Sequence, residues 1–327
     1  MYMTIWILFS ALLGGSCNFA GATPRPTTGS LDFLVVGDWG GQDRHPFYTT
    51  AQKNVARAMG VTAANIASKF TIGLGDNFYS NGVTDVADPR FRETFENVFK
   101  VSSLQSRWYM VCGNHDHRGN VSAQVEYTKL STRWYMPSLY YTRTITIPGT
   151  TSTVQFIFID TSILHDHVFG ASQASKQWAW ITKTLQQSTA DWIIMAGHHP
   201  VWSVAWHGPT TSLVEKLKPL LMKYGVSVYF AGHEHNLQHI KEDNSDVNYF
   251  VSGAGHLISH SNEHALDVPI DSLKYQYAPD DPLHTLGGYA SVSMTPNNMR
   301  VTFYDASAIK LYSVMLQPIA RKKHQTK

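Results

Sequence analysis

Residues 70–79 read FTIGLGDNFY: a strand-length apolar run, Phe70 to Leu74, then a glycine, then an acid. Glycine at the end of a strand lets the backbone turn tightly, and the acid after it is presented in the crevice above a sheet, where open α/β folds bind ligands. A metal would sit there. Asp76 is expected to bridge two ions with its two carboxylate oxygens, and Tyr79 to bind one of them as a phenolate.

The same punctuation recurs on both sides of this stretch. Upstream, the apolar run Leu31 to Val36 ends in Gly37-Asp38-Trp39-Gly40, and Thr49 to Met59 reads as the helix leading to the second strand. Downstream, Asp88 to Lys100 has a helical period carrying Phe91, Phe95 and Phe99 at i, i+4 and i+8, a stripe expected to pack in the core. Trp108 to Cys112 is a third strand, ending in Gly113-Asn114-His115-Asp116. This βαβαβ order predicts a sheet with parallel neighbours and right-handed crossovers. Beyond Pro137 the texture changes, since Tyr140 to Ile147 and Thr153 to Ile159 follow each other across a short turn, the pattern of an antiparallel hairpin. A helix, Gln173 to Gln187, precedes a strand, Trp192 to Ala196, that ends in Gly197-His198-His199-Pro200. Another helix, Leu213 to Tyr224, precedes the strand Val226 to Ala231, which ends in Gly232-His233-Glu234-His235. The last third is β-rich: Val247 to Ser252, Gly288 to Met294, Met299 to Tyr304 and Ile309 to Leu316. No repeat, low-complexity linker or charge block interrupts the chain. Residues 30–316 are therefore expected to form one domain of two sheets packed face to face, with helices outside.

A chain of 327 residues can bury a large core, and a net charge of +2 with 15% charged residues leaves no excess to attract nucleic acid or an anionic membrane. Ile5 to Leu13 is apolar and is followed by small residues up to Ala22, so residues 1–22 read as a cleaved secretory signal; about 20 apolar residues would be needed to cross a bilayer. The protein is expected to be secreted or lysosomal and not inserted in the membrane. Residues 317–327 make a basic tail, with Arg321, Lys322, Lys323 and Lys327, expected to be solvated. Cys17 leaves with the signal, and Cys112 remains alone in an apolar run as a buried thiol without a disulfide partner. Asn120-Val121-Ser122 is a glycosylation acceptor.

Five apolar runs thus end in a glycine followed directly by a potential ligand: Asp38, Asp76, Asn114, His198 and His233, with His235 two residues after the last. One Gly-Asp alone is usually a turn. Five at the same place relative to their strands predict a shared site. If Asp38, Tyr79, His235 and bridging Asp76 gather at one position, three of the four ligands are anions. A phenol with a pKa of about 10 ionises in acid only beside a strongly Lewis-acidic ion, for which Fe(III) fits. The second set, Asn114, His198, His233 and the shared Asp76, suits a divalent ion, Fe(II), Zn(II) or Mn(II). Ions sharing one carboxylate lie roughly 3.5 to 4 Å apart, the spacing of two-metal hydrolases, and a hydroxide acidified by them is the nucleophile such a pair supplies. Phosphoryl groups are the natural substrate, because negative charge spreads over their equatorial oxygens in the transition state. His115, beside Asn114, and His207, in the loop after His198, are the candidates for general acid or phosphate binder. Of the remaining histidines, His199 points away from the ions if its backbone is extended, His165 and His167 read as solvated loop residues, and His256 has no assigned role.

The block order GDWG, GDNFY, GNHDH, GHHPVWS and GHEHN, with Tyr79 three residues after Asp76, resembles the purple acid phosphatases, in particular the small, animal-type tartrate-resistant acid phosphatases. The resemblance extends through residues 119–124, His207-Gly208-Pro209-Thr210, residues 232–237 and Ser252-Gly253-Ala254-Gly255. It implies a four-layer αββα sandwich and an acid phosphatase acting on small phosphate esters or phosphoproteins, as a monomer. It also implies Fe(III) at Asp38, Asp76, Tyr79 and His235, and Fe(II) or Zn(II) at Asp76, Asn114, His198 and His233. Three departures stand out. Trp206 occupies the place of a glutamate before the histidine of the HGPT block, so His207 would protonate the leaving group alone. The stretch from Asp160 to Gln173 is short where the mammalian enzymes carry a cleavable repression loop, and Ser212 replaces a cysteine of that loop's disulfide. A phosphodiesterase of the wider metallophosphoesterase group is the nearest alternative, against which Tyr79 argues. A catalytically silent extracellular metal binder is the other, against which seven intact ligands argue.

Overall fold

The computed structural model describes residues 29–165, 170–277 and 287–320, in which fourteen strands form two sheets of seven. Residues 1–22, expected to be a leader, His167 and the basic residues 321–327 lie outside the described residues. Strands β1 (Leu31–Val36), β2 (Phe70–Gly73), β3 (Arg107–Met110) and β4 (Trp134–Tyr135) are parallel neighbours in the first sheet. The chain then builds the second sheet. The hairpin β5 (Tyr141–Thr146) and β6 (Thr153–Phe158) is extended in parallel by β7 (Trp192–Ala196) and β8 (Val228–Ala231). β9 (Leu237–Ile240), β10 (Asn248–Ser252) and β11 (Leu273–Gln276) complete it, with β10 parallel to β8 and β9 antiparallel between β10 and β11. Finally β12 (Gly288–Met294), β13 (Met299–Asp305) and β14 (Lys310–Leu316) return to the first sheet as an antiparallel meander, β12 lying against β1 with Leu31 opposite Met294.

Side chains that alternate along a strand reach two different cores. Val154, Phe156 and Phe158 of β6, Ile194 of β7 and Phe230 of β8 pack between the sheets, whereas Ile157, Ile193, Met195 and Tyr229 face outward. The inner faces interlock through rings: Phe33 lies 4.7 Å from Phe70 and 5.5 Å from Phe156 of the other sheet. Outside the first sheet, α1 (Thr50–Ile66) buries Val55, Met59 and Ala63, one face of a helical period. It starts at Thr49, whose hydroxyl accepts from the Gln52 N–H at 3.0 Å. Two short helices, α2 (Val121–Tyr127) and α3 (Thr161–His165), flank the loops described below. Outside the second sheet, α4 (Ala171–Gln186) contributes Ile181 and Leu185, and the helical stretch ending in α5 (Lys218–Lys223) contributes Leu213, Leu217 and Leu221. The result is a four-layer α/β sandwich.

One expected helix is reshaped. Within residues 88–100 the helix is short, residues 89–96, and widens to a π-helix over Phe91–Glu96. Phe91, Phe95 and Phe99 still bury themselves, Phe95 standing 5.2 Å from both Trp108 and Trp134. The Arg133 guanidinium, bonded to the Glu96 carboxylate and at 2.6 Å to the Phe99 carbonyl, holds the turn. Cys112 is a buried free thiol. No described helix is long and apolar enough to cross a membrane.

Candidate metal centre

Strands β1, β2 and β3 of one sheet and β7 and β8 of the other end at the same edge of the sandwich, and the loops after them meet there. The glycine before each candidate ligand admits a neighbouring loop as well as turning its own. A Cβ on Gly113 would lie 2.5 Å from the Asp76 amide nitrogen and collide with the Asp76 carboxylate; one on Gly232 would lie 3.0 Å from the Leu74 carbonyl and collide with Asp38. Backbone bonds lock the loops together: Asp38 N–H donates to the Gly75 carbonyl (3.0 Å), and Gly37 N–H to the Ser252 carbonyl (2.7 Å).

The seven side chains expected to be ligands come together, and they sort into two groups. In the first, the Tyr79 hydroxyl lies 3.0 Å from Asp38 Oδ1 and 3.0 Å from His235 Nε2, with Asp38 Oδ1 and His235 Nε2 3.6 Å apart. In the second, His198 Nε2 lies 3.1 Å from Asn114 Oδ1, 3.2 Å from His233 Nδ1 and 3.5 Å from Asp76 Oδ1. Asp38, Asp76 and His198 present atoms within 4.8 Å of one another and so join the groups. Donors about 2.1 Å from an ion stand about 3.0 Å apart at right angles and about 3.4 Å apart at tetrahedral angles. The observed separations match such edges. The donor chemistry agrees: His198 Nδ1 sits 2.8 Å from the Leu74 carbonyl, to which only an N–H can donate, so Nε2 is aimed at a cluster of acceptors that needs a positive charge at its centre. The residues fit a metal pair.

Electrostatics point the same way. Burial opposes ionisation of Asp76, but the imidazoles of His198 and His115 outweigh it and hold the carboxyl well below the usual carboxylate range. His198, though burial works against its charge, is pushed up to about 10 by Asp76 and Asp38. Burial, reinforced by the imidazoles of His198 and His207, keeps His233 neutral well below its ordinary value. Burial and the charges of Asp38 and Asp76 push the Tyr79 phenol well above 10.0. Only cationic charge in the pocket would turn that phenol into a phenolate.

His115 and His207 flank the centre. The His115 N–H donates to Asp76 Oδ1 (2.9 Å), while its ring Nδ1 faces the Ser80 carbonyl (2.7 Å) and Nε2 lies 3.9 Å from Asp76 Oδ2. The His207 ring is 4.2 Å from that of His233, and its side chain is half exposed. A carboxylate does serve His207 despite Trp206: buried Glu234 accepts the His207 N–H at 2.8 Å, and its second oxygen lies 3.4 Å from Nδ1. Sequence reasoning gave Glu234 no role, nor Asp116, which accepts from the N–H groups of Gly113 (2.8 Å) and Asn77 (3.1 Å) and from Gln124 (2.9 Å), tying the second and third loops together. Their signal was an acid within two residues of a ligand. His199 is buried, its Nδ1 2.8 Å from the Thr161 hydroxyl and its ring against His233, and His256 donates from Nδ1 to the Asp38 carbonyl (2.7 Å) while packing on Tyr79. His165 ends α3, its Nδ1 3.5 Å from the Ser212 hydroxyl.

Fold and site together define a calcineurin-like phosphoesterase, and the model of that family matches residues 31–237. Tartrate-resistant acid phosphatase type 5 of Oryctolagus cuniculus is 42% identical over 313 residues, covering 92% of this chain and 94% of its own; that of Homo sapiens is 40% identical over 333 residues, covering 98% and 99%. Purple acid phosphatase 17 of Arabidopsis thaliana is 31% identical over 299 residues, covering 86% and 83%. Among solved structures, GAP50, the anchor in the inner membrane complex of Plasmodium, shares the fold with a TM-score of 0.78 at 23% identity over 90% of each chain. The purple acid phosphatase PPD1 of yellow lupin does so with a TM-score of 0.65 at 17% identity, over 90% of this chain and 55% of its own. The chain belongs to the purple acid phosphatase family, on its tartrate-resistant side, and is an acid phosphatase, a phosphoric monoester hydrolase. Membership implies a binuclear metal centre.

Proposed function

We propose that this acid phosphatase hydrolyses phosphate monoesters, small esters or phosphoproteins, at a ferric and divalent pair of ions. Asp38, Tyr79 and His235 would hold the ferric ion, Asn114, His198 and His233 the divalent ion, and Asp76 would bridge them. The observation that carries this reading is the sorting of the donor atoms into an anionic group and a neutral group with Asp76 reaching both. When bound, the two ions supply positive charge to the phosphoryl oxygens and lower the pKa of a water into the working range. The chain's own groups do the rest. With its Nδ1–H given to the Ser80 carbonyl, His115 is oriented to present Nε2 to a phosphoryl oxygen. His207, set by Glu234 at the open side of His233, donates a ring N–H proton to the ester oxygen as the P–O bond breaks, so that a neutral alcohol departs. Buried Tyr79, Asp38 and His198 line the centre and limit the water that reaches it.

Entry into the secretory pathway through residues 1–22, and a glycan on Asn120, are part of the same reading. Asn120 is exposed, and its side chain caps α2 by accepting from the Ala123 N–H at 3.2 Å. The decisive experiment is Asp76→Asn in the folded holoenzyme, assayed with a monoester and a diester. Monoester turnover should fall by at least roughly a hundredfold, because an amide cannot bridge the two cations whose positive charge faces the transition state. Near-normal turnover, or a wild type that prefers the diester, would refute the reading.

A further inference from the structure

The two sheets also enclose a space at the end of the strands away from the metal centre. Strand β9 leaves the centre at Leu237 and reaches Ile240 about 10 Å farther on, β10 starts there at Asn248, and β14 ends there at Leu316, opposite Met299. Between them lies a cavity of about 530 Å³, within the ~300–1,000 Å³ typical of small-molecule sites. Its floor is buried His239, whose ring stacks on Phe250 at 4.3 Å. The Asn248 amide donates to the Asp246 carbonyl (3.1 Å), so its oxygen accepts from His239 Nε2–H (3.0 Å), and Nδ1 accepts from the Tyr312 hydroxyl (2.9 Å). The floor is therefore neutral and its N–H and O–H donors are spent. The rim is not. Lys241 Nζ donates to the Ser245 carbonyl (3.0 Å) and forms no salt bridge among the described residues. Lys274 Nζ donates to the Asp271 carbonyl (2.6 Å) and stands 3.6 Å from Asp243, a largely exposed carboxylate that solvent screens. Each ammonium carries three donors and has given one to a carbonyl. The remaining acid on the rim, Asp246, is exposed. Burial and the charges of both lysines push His239 down to about 4, so the two ammonium groups bear on the same ring. Val314, Leu316 and Ile319 form an apolar wall.

We propose that this cavity is a second binding site, for a small organic anion with an apolar body. A carboxylate or sulfonate head takes the unspent N–H donors of Lys241 and Lys274, and the body lies against Val314, Leu316 and Ile319. Charge-assisted bonds of this kind are roughly twice as strong as neutral ones. A neutral apolar molecule of the same shape would leave the ammonium donors facing it without a partner, which costs free energy, and a cation would meet two like charges. The site lies at the far end of the strands from the metal pair, and it does not depend on the phosphatase reading.

The test titrates the holoenzyme with anilinonaphthalene sulfonate, followed by the dye's fluorescence, and then displaces the dye with decanoate or with decanol, the same chain without the charge. One saturable site per chain should appear, and decanoate should displace the dye at far lower concentration than decanol. The double variant Lys241→Gln, Lys274→Gln should bind the dye at least roughly tenfold more weakly, as when charge-assisted bonds are lost. Val314→Trp, which fills the cavity, should remove the binding. The double variant should keep its phosphatase kcat/KM and its melting temperature, and inorganic phosphate should not displace the dye, since its place is the metal centre. Dye binding that phosphate competes away, that the lysine substitutions leave unchanged, or that is absent from the wild type overturns the second site. None of these results touches the phosphatase reading, which the Asp76→Asn assay tests separately.

Discussion

Asp38, Asp76 and His233 all hold positive φ, at 57°, 49° and 68°. Side-chain-bearing residues adopt that region at a cost of order 1 kcal/mol each, and they stay there only when their surroundings insist. Here the insistence is visible in the hydrogen bonds that receive the reversed backbone: the His233 N–H meets Asp38 Oδ2 at 2.8 Å, and the Asp38 N–H meets the Gly75 carbonyl at 3.0 Å. Tyr79 gives the most specific prediction at this scale. Its pocket opposes a phenolate through burial and two carboxylates, so a phenolate there reports an ion directly. A visible charge-transfer band in the holoprotein should vanish in Tyr79→Phe; a band that survives the substitution would contradict the ferric assignment. The ligands themselves were legible because each follows a glycine at a strand end. Asp116 and Glu234 were not, since an acid within two residues of a ligand looks the same whether it faces solvent or braces the neighbouring loop.

Among the elements, β1, β7, β12, β13 and the β5–β6 hairpin follow the apolar runs closely, while the departures share a physical cause. Helix α1 runs to Ile66, beyond the expected stop at Met59, because Gly60 is there for packing: a Cβ on it would come within 2.9 Å of Val101. The helix ends instead at Ala67, in the left-handed region at φ 52° and ψ 49°. Ala67→Gly should therefore stabilise the protein by roughly 0.5–1 kcal/mol in a denaturant titration, and a loss of stability would contradict this account of the cap. Strand β9 escaped sequence reading because its polar residues are inside: Gln238 accepts from the Val204 N–H (3.0 Å), and His239 lies between Asn248 (3.0 Å) and Tyr312 (2.9 Å). Periodicity sees polarity and not the partner that satisfies it. Burial pushes His239 down to about 4. As pH falls from about 6.5 the unfolded chain takes up a proton that the folded state refuses, so stability is lost between about pH 6.5 and 4 and then levels off. The drop in melting temperature from pH 7 to pH 5 should shrink in His239→Gln; an unchanged drop would show that another group governs the acid limb.

For the molecule as a whole, strand-ending glycines and the change of texture after Pro137 were enough to anticipate two sheets. They could not say which strands from distant parts of the chain would pair. The pairing of β12 with β1 joins Leu31 to Met294, and burial on both faces of β1 says that partners exist without naming them. The packing of the two sheets, with Phe33 and Phe70 of one against Phe156 of the other, brings the ends of two parallel strand sets to one edge, and the centre depends on it, because Asp38, Asp76 and Asn114 come from one sheet and His198 and His233 from the other. A site shared between the layers in this way is the central claim, and counting its ions tests it most directly. Elemental analysis of the purified protein, with its visible spectrum, should find two metal ions per chain, one of them iron in a tyrosinate environment, and fewer ions in Asp76→Asn. An active, colourless wild-type protein that carries a single ion would contradict the account.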